Sequence, residues 1–204
     1  MKKIVIIFSL LALVIIVSSF SNKSKVKNTV IVNKYYSTVQ TKEQSNLKPI
    51  NIPFVGKSFT GFKEAVAFKE SQGNYNTINT LGYLGKYQFG RTTLERFNIY
   101  NTRHFLKDPE LQEDAFIALC SVNKWILRKD IRRSTGKTIN HIKITESGIL
   151  AAAHLAGAGN VKKYLRSNGN LDFKDAYGST VQHYLKQFSG YDTSIIEASK
   201  NPVL

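Results

Sequence analysis

With 204 residues, 42% of them hydrophobic, the chain has material for one independent folded domain plus some flanking segment. A single cysteine excludes an intrachain disulfide framework, so stability has to come from core burial. The net charge of +15 is front-loaded: beyond Lys2 and Lys3, residues 21–63 carry eight Lys against one Glu, which leaves only +6 for residues 64–204. The excess therefore sits in a tether rather than in a groove, and with no recognition motif it argues against nucleic acid as a partner. Attraction to an anionic wall or membrane surface suits it better, a merely solvated linker being the plain alternative.

The opening residues read as an export signal. Met1-Lys2-Lys3 is followed by an uncharged run from Ile4 to Phe20, apolar throughout Ile4–Val17 except Ser9, and then by small residues. Residues 1–21 are accordingly a signal peptide, or an uncleaved membrane anchor, and the rest of the chain is expected outside the cytoplasm, whether periplasmic, membrane-anchored or extracellular. Residues 22–57 are rich in Lys, Ser, Thr and Asn and read as a flexible basic linker. Fully extended they would reach roughly 120 Å, enough to hold a domain clear of a membrane.

From residue 58 onward the signals are helical. A helix is predicted from about Phe59 to Gln72. Asp108-Pro109-Glu110 supplies an N-cap, a proline at the first helical position and an acid in the first turn. Leu111, Ala115, Ala118, Leu119, Val122 and Ile126 then recur at helical spacing to about Arg133, and Gly136 stops this central strut. Cys120 lies within that apolar stretch and reads as a core residue, not a nucleophile. Thr145-Glu146 opens a further helix running to Gly157, a short one follows at about Asn160–Arg166, and the last carries Val181, Tyr184, Leu185 and Phe188. No alternation is strong enough for a substantial sheet, so the fold class is mainly α. The domain is placed at residues 58–190, and residues 191–204 are assigned only as a C-terminal tail.

Glu70 is the residue hardest to explain structurally. On its helix Phe62, Val66 and Ala67 lie eight, four and three positions earlier, so it shares their apolar face. A carboxyl group delivered there is partly desolvated, which raises its pKa and suits it to hold a proton as a general acid. A buried Glu bonded to a neighbouring helix is the competing reading. Downstream, Gly82-Tyr83-Leu84-Gly85-Lys86-Tyr87-Gln88 places two glycines three apart for a tight turn close to a ligand. Tyr83 and Tyr87 offer flat faces for sugar rings, and Gln88 offers an amide for hydroxyl and acetamido groups.

The spacing of these residues carries a resemblance. Glu70-Ser71, then Gly82, Gly85 and Gln88 at twelve, fifteen and eighteen residues after the Glu, resembles the Glu-Ser…Gly-x-x-Gly-Leu-Met-Gln pattern of lytic transglycosylases with a goose-type-lysozyme-like (SLT) catalytic domain. A second block of that family, Ala-Tyr-Asn-Ala-Gly-x-Gly-x-Val, is similar to Ala153-His154-Leu155-Ala156-Gly157-Ala158-Gly159-Asn160-Val161. A third, a Tyr on the final helix, matches Tyr184. The chain departs from the pattern at Lys86-Tyr87, at His154 and at Leu155, where the family has Leu-Met, Tyr and Asn.

The resemblance implies a lysozyme-like helical domain acting on peptidoglycan glycan strands, with Glu70 as general acid and base. It places Ser71 and Gln88 beside Glu70 to orient substrate and Gly157 in the cleft backbone. It also brings the Tyr184 hydroxyl to the Glu70 carboxyl. No metal, cofactor or further protein partner is called for, and a monomer is expected. Between Glu70 and Glu95 there is no Asp or Glu. One carboxylate suits cleavage of the MurNAc–GlcNAc bond by intramolecular attack with a 1,6-anhydro product, whereas hydrolysis ordinarily takes a second carboxylate. A muramidase and a non-catalytic glycan-binding protein are the alternatives.

Overall fold

The computed structural model describes residues 55–204, which fall within one unit, Ile52–Leu204. The expected signal or anchor and nearly all of the expected linker lie outside the described residues. The described part is mainly helical. Among the described residues no helix is long and apolar enough to cross a membrane.

Helix α1 spans Phe59–Ser71. Ser58 caps it by accepting the Gly61 N–H at 3.1 Å, and Gln72 ends it in a left-handed conformation (φ 57°). Its buried face carries Phe62, Val66 and Ala67. Two short helices follow, α2 (Arg91–Glu95) and α3 (Thr102–Lys107), before the 26-residue α4 (Pro109–Ser134). Asp108 caps α4 on the Leu111 N–H at 3.0 Å, as its sequence signature predicts. Phe116, Ala118, Val122 and Leu127 bury along α4 as core. Burial pushes the Cys120 thiol up to about 12, which keeps it protonated and unreactive.

Gly136 (φ 87°) ends α4 and leads into a minimal antiparallel hairpin, β1 (Thr138–Ile139) with β2 (Ile142–Lys143). Its turn residues Asn140 and His141 both have positive φ, the requirement of a two-residue type I′ connection. Helix α5 (Glu146–Arg166) then packs against α4 and against the last helix, α6 (Val181–Gln187). The expected break near Gly157 is a kink: Gly157 adopts φ 74° and ψ 153°, and the chain resumes as helix on its far side. At the other end of α4, buried Asp130 accepts from Arg133 and Arg166, tying α4 to the end of α5.

Residues 191–199 pack as part of the fold, beyond the expected boundary at residue 190. Thr193 and Ile196 are buried, the Asp192 N–H donates to Lys57 O at 2.7 Å, and Ser121 donates to Glu197 O. These contacts fasten the end of the chain to the entry of α1 and the middle of α4.

The N-terminal turns of α4 also hold the loop that follows α1. Glu113 collects four donors: Lys63 Nζ at 2.6 Å, Lys86 Nζ at 2.7 Å, Tyr75 OH at 2.8 Å and Tyr87 OH at 2.8 Å. Lys86 Nζ also reaches Glu64 at 2.7 Å. Gln112, wholly buried, accepts the Lys86 N–H and donates to the carbonyls of Tyr75 and Phe105. Burial alone would raise the Glu113 pKa, but the donors from Lys63, Lys86, Tyr75 and Tyr87 outweigh it and bring the group down to about 2. Burial would likewise depress Lys86, and its bonds to Glu113, Glu64 and Tyr75 reverse that and hold it well above the usual lysine range.

Because the folded-state pKa of Glu113 is lowered, its contribution to stability is present above about pH 4.5 and is lost as pH falls toward about 2. Thermal unfolding measured between pH 7 and pH 2.5 should show the midpoint dropping through that window. Glu113→Gln should lower the midpoint at pH 7 and flatten the acid limb. An acid limb as steep as that of the parent would assign the effect to other carboxylates.

Candidate active site

Glu70 is placed one residue before the end of α1, half-buried, at the wall of a cleft. Tyr184, buried on α6, donates its hydroxyl to Glu70 Oε1 at 2.7 Å. The tyrosine ring packs on Phe188 with centroids 5.1 Å apart, which fixes the direction of the hydroxyl. Burial, and then the adjacent Glu70 charge, push the Tyr184 pKa far up, so its proton stays in place to be donated. Glu70 Oε2 makes no hydrogen bond among the described side chains, which leaves that oxygen for a ligand.

The cavity beside Glu70 measures about 230 Å³ and is shared by Asn79, Tyr83, Gln88, His154, Leu155 and Asp175. Gln88 holds φ 52°, lines the cavity and donates its amide to Gly85 O at 2.9 Å, which fixes the side chain there. His154 Nε2 bonds the Tyr87 carbonyl at 2.7 Å; since a carbonyl only accepts, Nε2 carries the proton. The imidazole stands edge-on to Phe89 and Phe116, an anchored packing residue. Leu155 gives the cavity an apolar wall. Gly157 is exposed at the kink of α5 and lines the next stretch of cleft, beyond Tyr83 and Gln88.

Four of the sequence-predicted residues take other places. Tyr87 is the clear correction: its side chain is wholly buried, stacked on Phe116 at 4.1 Å and bonded to Glu113, so it offers no face to a sugar. Tyr83, 43% exposed and lining the cavity, is the aromatic left facing the cleft. Ser71 spends its one hydroxyl hydrogen on Lys86 O at 2.7 Å and accepts the Asn74 N–H at 3.0 Å, so it positions the loop rather than the substrate. Gly85 approaches closely, but what it approaches is Gln112: φ is 73° and a Cβ would run into Gln112 Oε1. Gly82 turns the chain at φ 81° on an exposed tip with nothing within 4 Å of a Cβ.

Asp175 is the functional candidate that the sequence reading missed. It lines the same cavity as Glu70 and adds to the negative field that keeps Tyr184 protonated. Its Oδ1 accepts the N–H groups of Tyr177 at 3.0 Å and Ser179 at 2.6 Å, a turn closed on the carboxylate. The Asp175…Gly178 turn signature is visible in the sequence, but its place opposite Glu70 is not. Tyr177 from the same turn meets Thr80, hydroxyl to hydroxyl, at 2.8 Å, so the two loops walling the cavity touch each other. Among the described residues no group of His, Cys, Asp and Glu side chains is placed to hold a metal ion.

No protein-family model matches this chain, and no curated protein or solved structure matches it either.

The two glycines separate backbone strain from packing. Gly82→Ala should cost about 1 kcal/mol, from positive φ alone. Gly85→Ala adds a clash with a buried, fully bonded glutamine and should cost about 3 kcal/mol. Denaturant unfolding of the two variants checks this, and equal losses would remove the assigned role of Gln112.

Proposed function

We propose that this protein is an exported peptidoglycan lytic transglycosylase, with a lysozyme-like catalytic domain in which Glu70 is the acid and then the base. The observation that carries this reading is the hydrogen bond from Tyr184 to Glu70 Oε1, made by residues 114 apart in sequence and at the wall of a cleft. It fixes one carboxyl oxygen and leaves the other toward a bound glycan. Gln88 and Tyr83, which line the same cavity, supply an amide and an aromatic face, the groups that grip sugars.

Glu70, protonated, gives its proton to the glycosidic oxygen as the bond from that oxygen to the muramoyl C1 breaks. The positive charge left on the sugar is shared between C1 and the ring oxygen. Glu70, now a carboxylate, takes the proton from the C6 hydroxyl of the same sugar, and that oxygen closes on C1. The product is a 1,6-anhydro ring, and Glu70 ends protonated as it began. Attack from within the same sugar has a high effective molarity, so no second activating group is required.

Asp175 favours a second reading, a muramidase. A carboxylate in the cavity with Glu70 can draw a proton from water, or shield the cationic sugar, and so lead to hydrolysis. Mass spectrometry of digested peptidoglycan separates the two: anhydromuramoyl ends are expected from the transglycosylase, and reducing ends would establish the muramidase. In the second case Asp175→Asn should cut the rate by about a hundredfold or more.

Glu70→Gln should lower wall-cleaving activity by about a thousandfold in either reading. Unchanged clearing in a zymogram would sink any catalytic role for Glu70 and leave a glycan-binding protein. Tyr184→Phe keeps the packed ring and removes only the hydroxyl. It is expected to lower kcat about tenfold while moving the unfolding midpoint little, because the lost bond orients the acid rather than holding the core together.

A further inference from the structure

The cleft does not end beside Glu70. Past Tyr83, Gln88, His154 and Leu155, which wall both spaces, it widens into an alcove of about 570 Å³. Two cations, Arg96 and Lys162, line this alcove, and no Asp or Glu does. Among the described residues neither cation forms an ion pair, although Lys63, Lys86, Lys124, Arg133 and Arg166 all do.

A third donor lies deeper. Asn123 on α4 also lines the alcove, is only 5% exposed, and its Nδ2 has no hydrogen-bond acceptor among the described residues. An unpaired buried amide donor is destabilising, and that cost is removed when an acceptor arrives. Leu119 and Ile126 supply an apolar floor beside it, and Gly157 leaves open backbone at the rim. Two free cations, an unpaired amide and an apolar floor match a short chain that bears carboxylates and small methyl groups.

We infer that the alcove binds the stem peptide carried by a muramoyl residue, with Arg96 and Lys162 taking its carboxylates and Asn123 donating to a carbonyl or carboxylate oxygen. The inference rests on the glycan-strand reading given above, since the alcove continues the cleft in which that strand would lie. The peptide branches from the lactyl ether of the muramoyl sugar, so a strand seated at Glu70 carries peptide carboxylates along the cleft walls. The protein therefore distinguishes peptide-bearing strands from stripped ones.

The test uses two defined phosphate-free oligosaccharides, one with its stem peptides and one without. Each is titrated into the Glu70→Gln protein, so that binding is read without turnover. The peptide-bearing fragment should bind about tenfold more tightly, and the Arg96→Gln/Lys162→Gln double variant should lose that preference. An Arg96→Lys/Lys162→Arg exchange keeps both charges and should restore most of it, which separates charge from misfolding. Equal affinities for the two fragments, or a preference that survives the double Gln variant, overturns the alcove assignment. Incubating the same fragments with the parent protein reads the other question: peptide-dependent binding without cleavage overturns the enzymatic reading and leaves the alcove standing.

Discussion

The arrangement around Glu70 depends on a carboxylate that makes no bond with it. Glu113, in the second turn of α4, gathers Lys63 from α1, Tyr75 from the segment after it, and Lys86 and Tyr87 from the glycine loop. Four donors on one carboxylate overcome its desolvation, and the three pieces of chain that build one side of the cleft are thereby fixed to one helix. Beside it Gln112 is fully bonded and leaves room only for a glycine at residue 85. Ser71 completes the attachment by donating to the carbonyl of Lys86. Glu70 thus sits at the end of a helix whose last turn is bonded to the loop carrying Gln88.

The other side of the cleft is built differently. Helices α5 and α6 pack together, and Tyr184 crosses from α6 to the Glu70 carboxyl. The turn around Asp175 is held by its own backbone amides and reaches across to Thr80 through Tyr177. One wall is thus a charged, buried network and the other a pair of packed helices with a polar turn. Glu70 lies where they meet, carried by α1 on one side and bonded to Tyr184 on the other. The half-burial of its carboxyl follows from that position: apolar α1 neighbours lie on one side and open cleft on the other.

Lys86 and Tyr87 have a clear physical role in this architecture. An apolar pair at these positions would pack against the core without charge. Here Tyr87 fills the same core through its ring, on Phe116, while its hydroxyl and the Lys86 ammonium meet Glu113. Glu113, Glu64, Lys63 and Tyr75 form a connected set with them, so these six residues hold together as one unit. A buried network of this kind is costly if any member is missing, which ties the loop's geometry to the start of α4.

Much of the helical layout was legible from local chemistry. The Asp108-Pro109 cap and the break at Gly157 follow from residue type, while the apolar recurrence along α4 and the placement of Glu70 on the face of Phe62, Val66 and Ala67 follow from the 3.6-residue turn. What one residue meets from a distant segment is decided by packing, and here the sequence had no say in advance. It could not turn Tyr87 inward, because aromatic rings serve cores and sugar sites alike and only Glu113 and Phe116 determine which. Nor could it bring Asp175 to the wall of the Glu70 cavity, or fold residues 191–199 against α4, since neither segment has a periodic pattern. The sequence by itself determined which helix carries the acid; the tertiary structure decided what surrounds it, because Tyr184 and Asp175 come from segments about a hundred residues away.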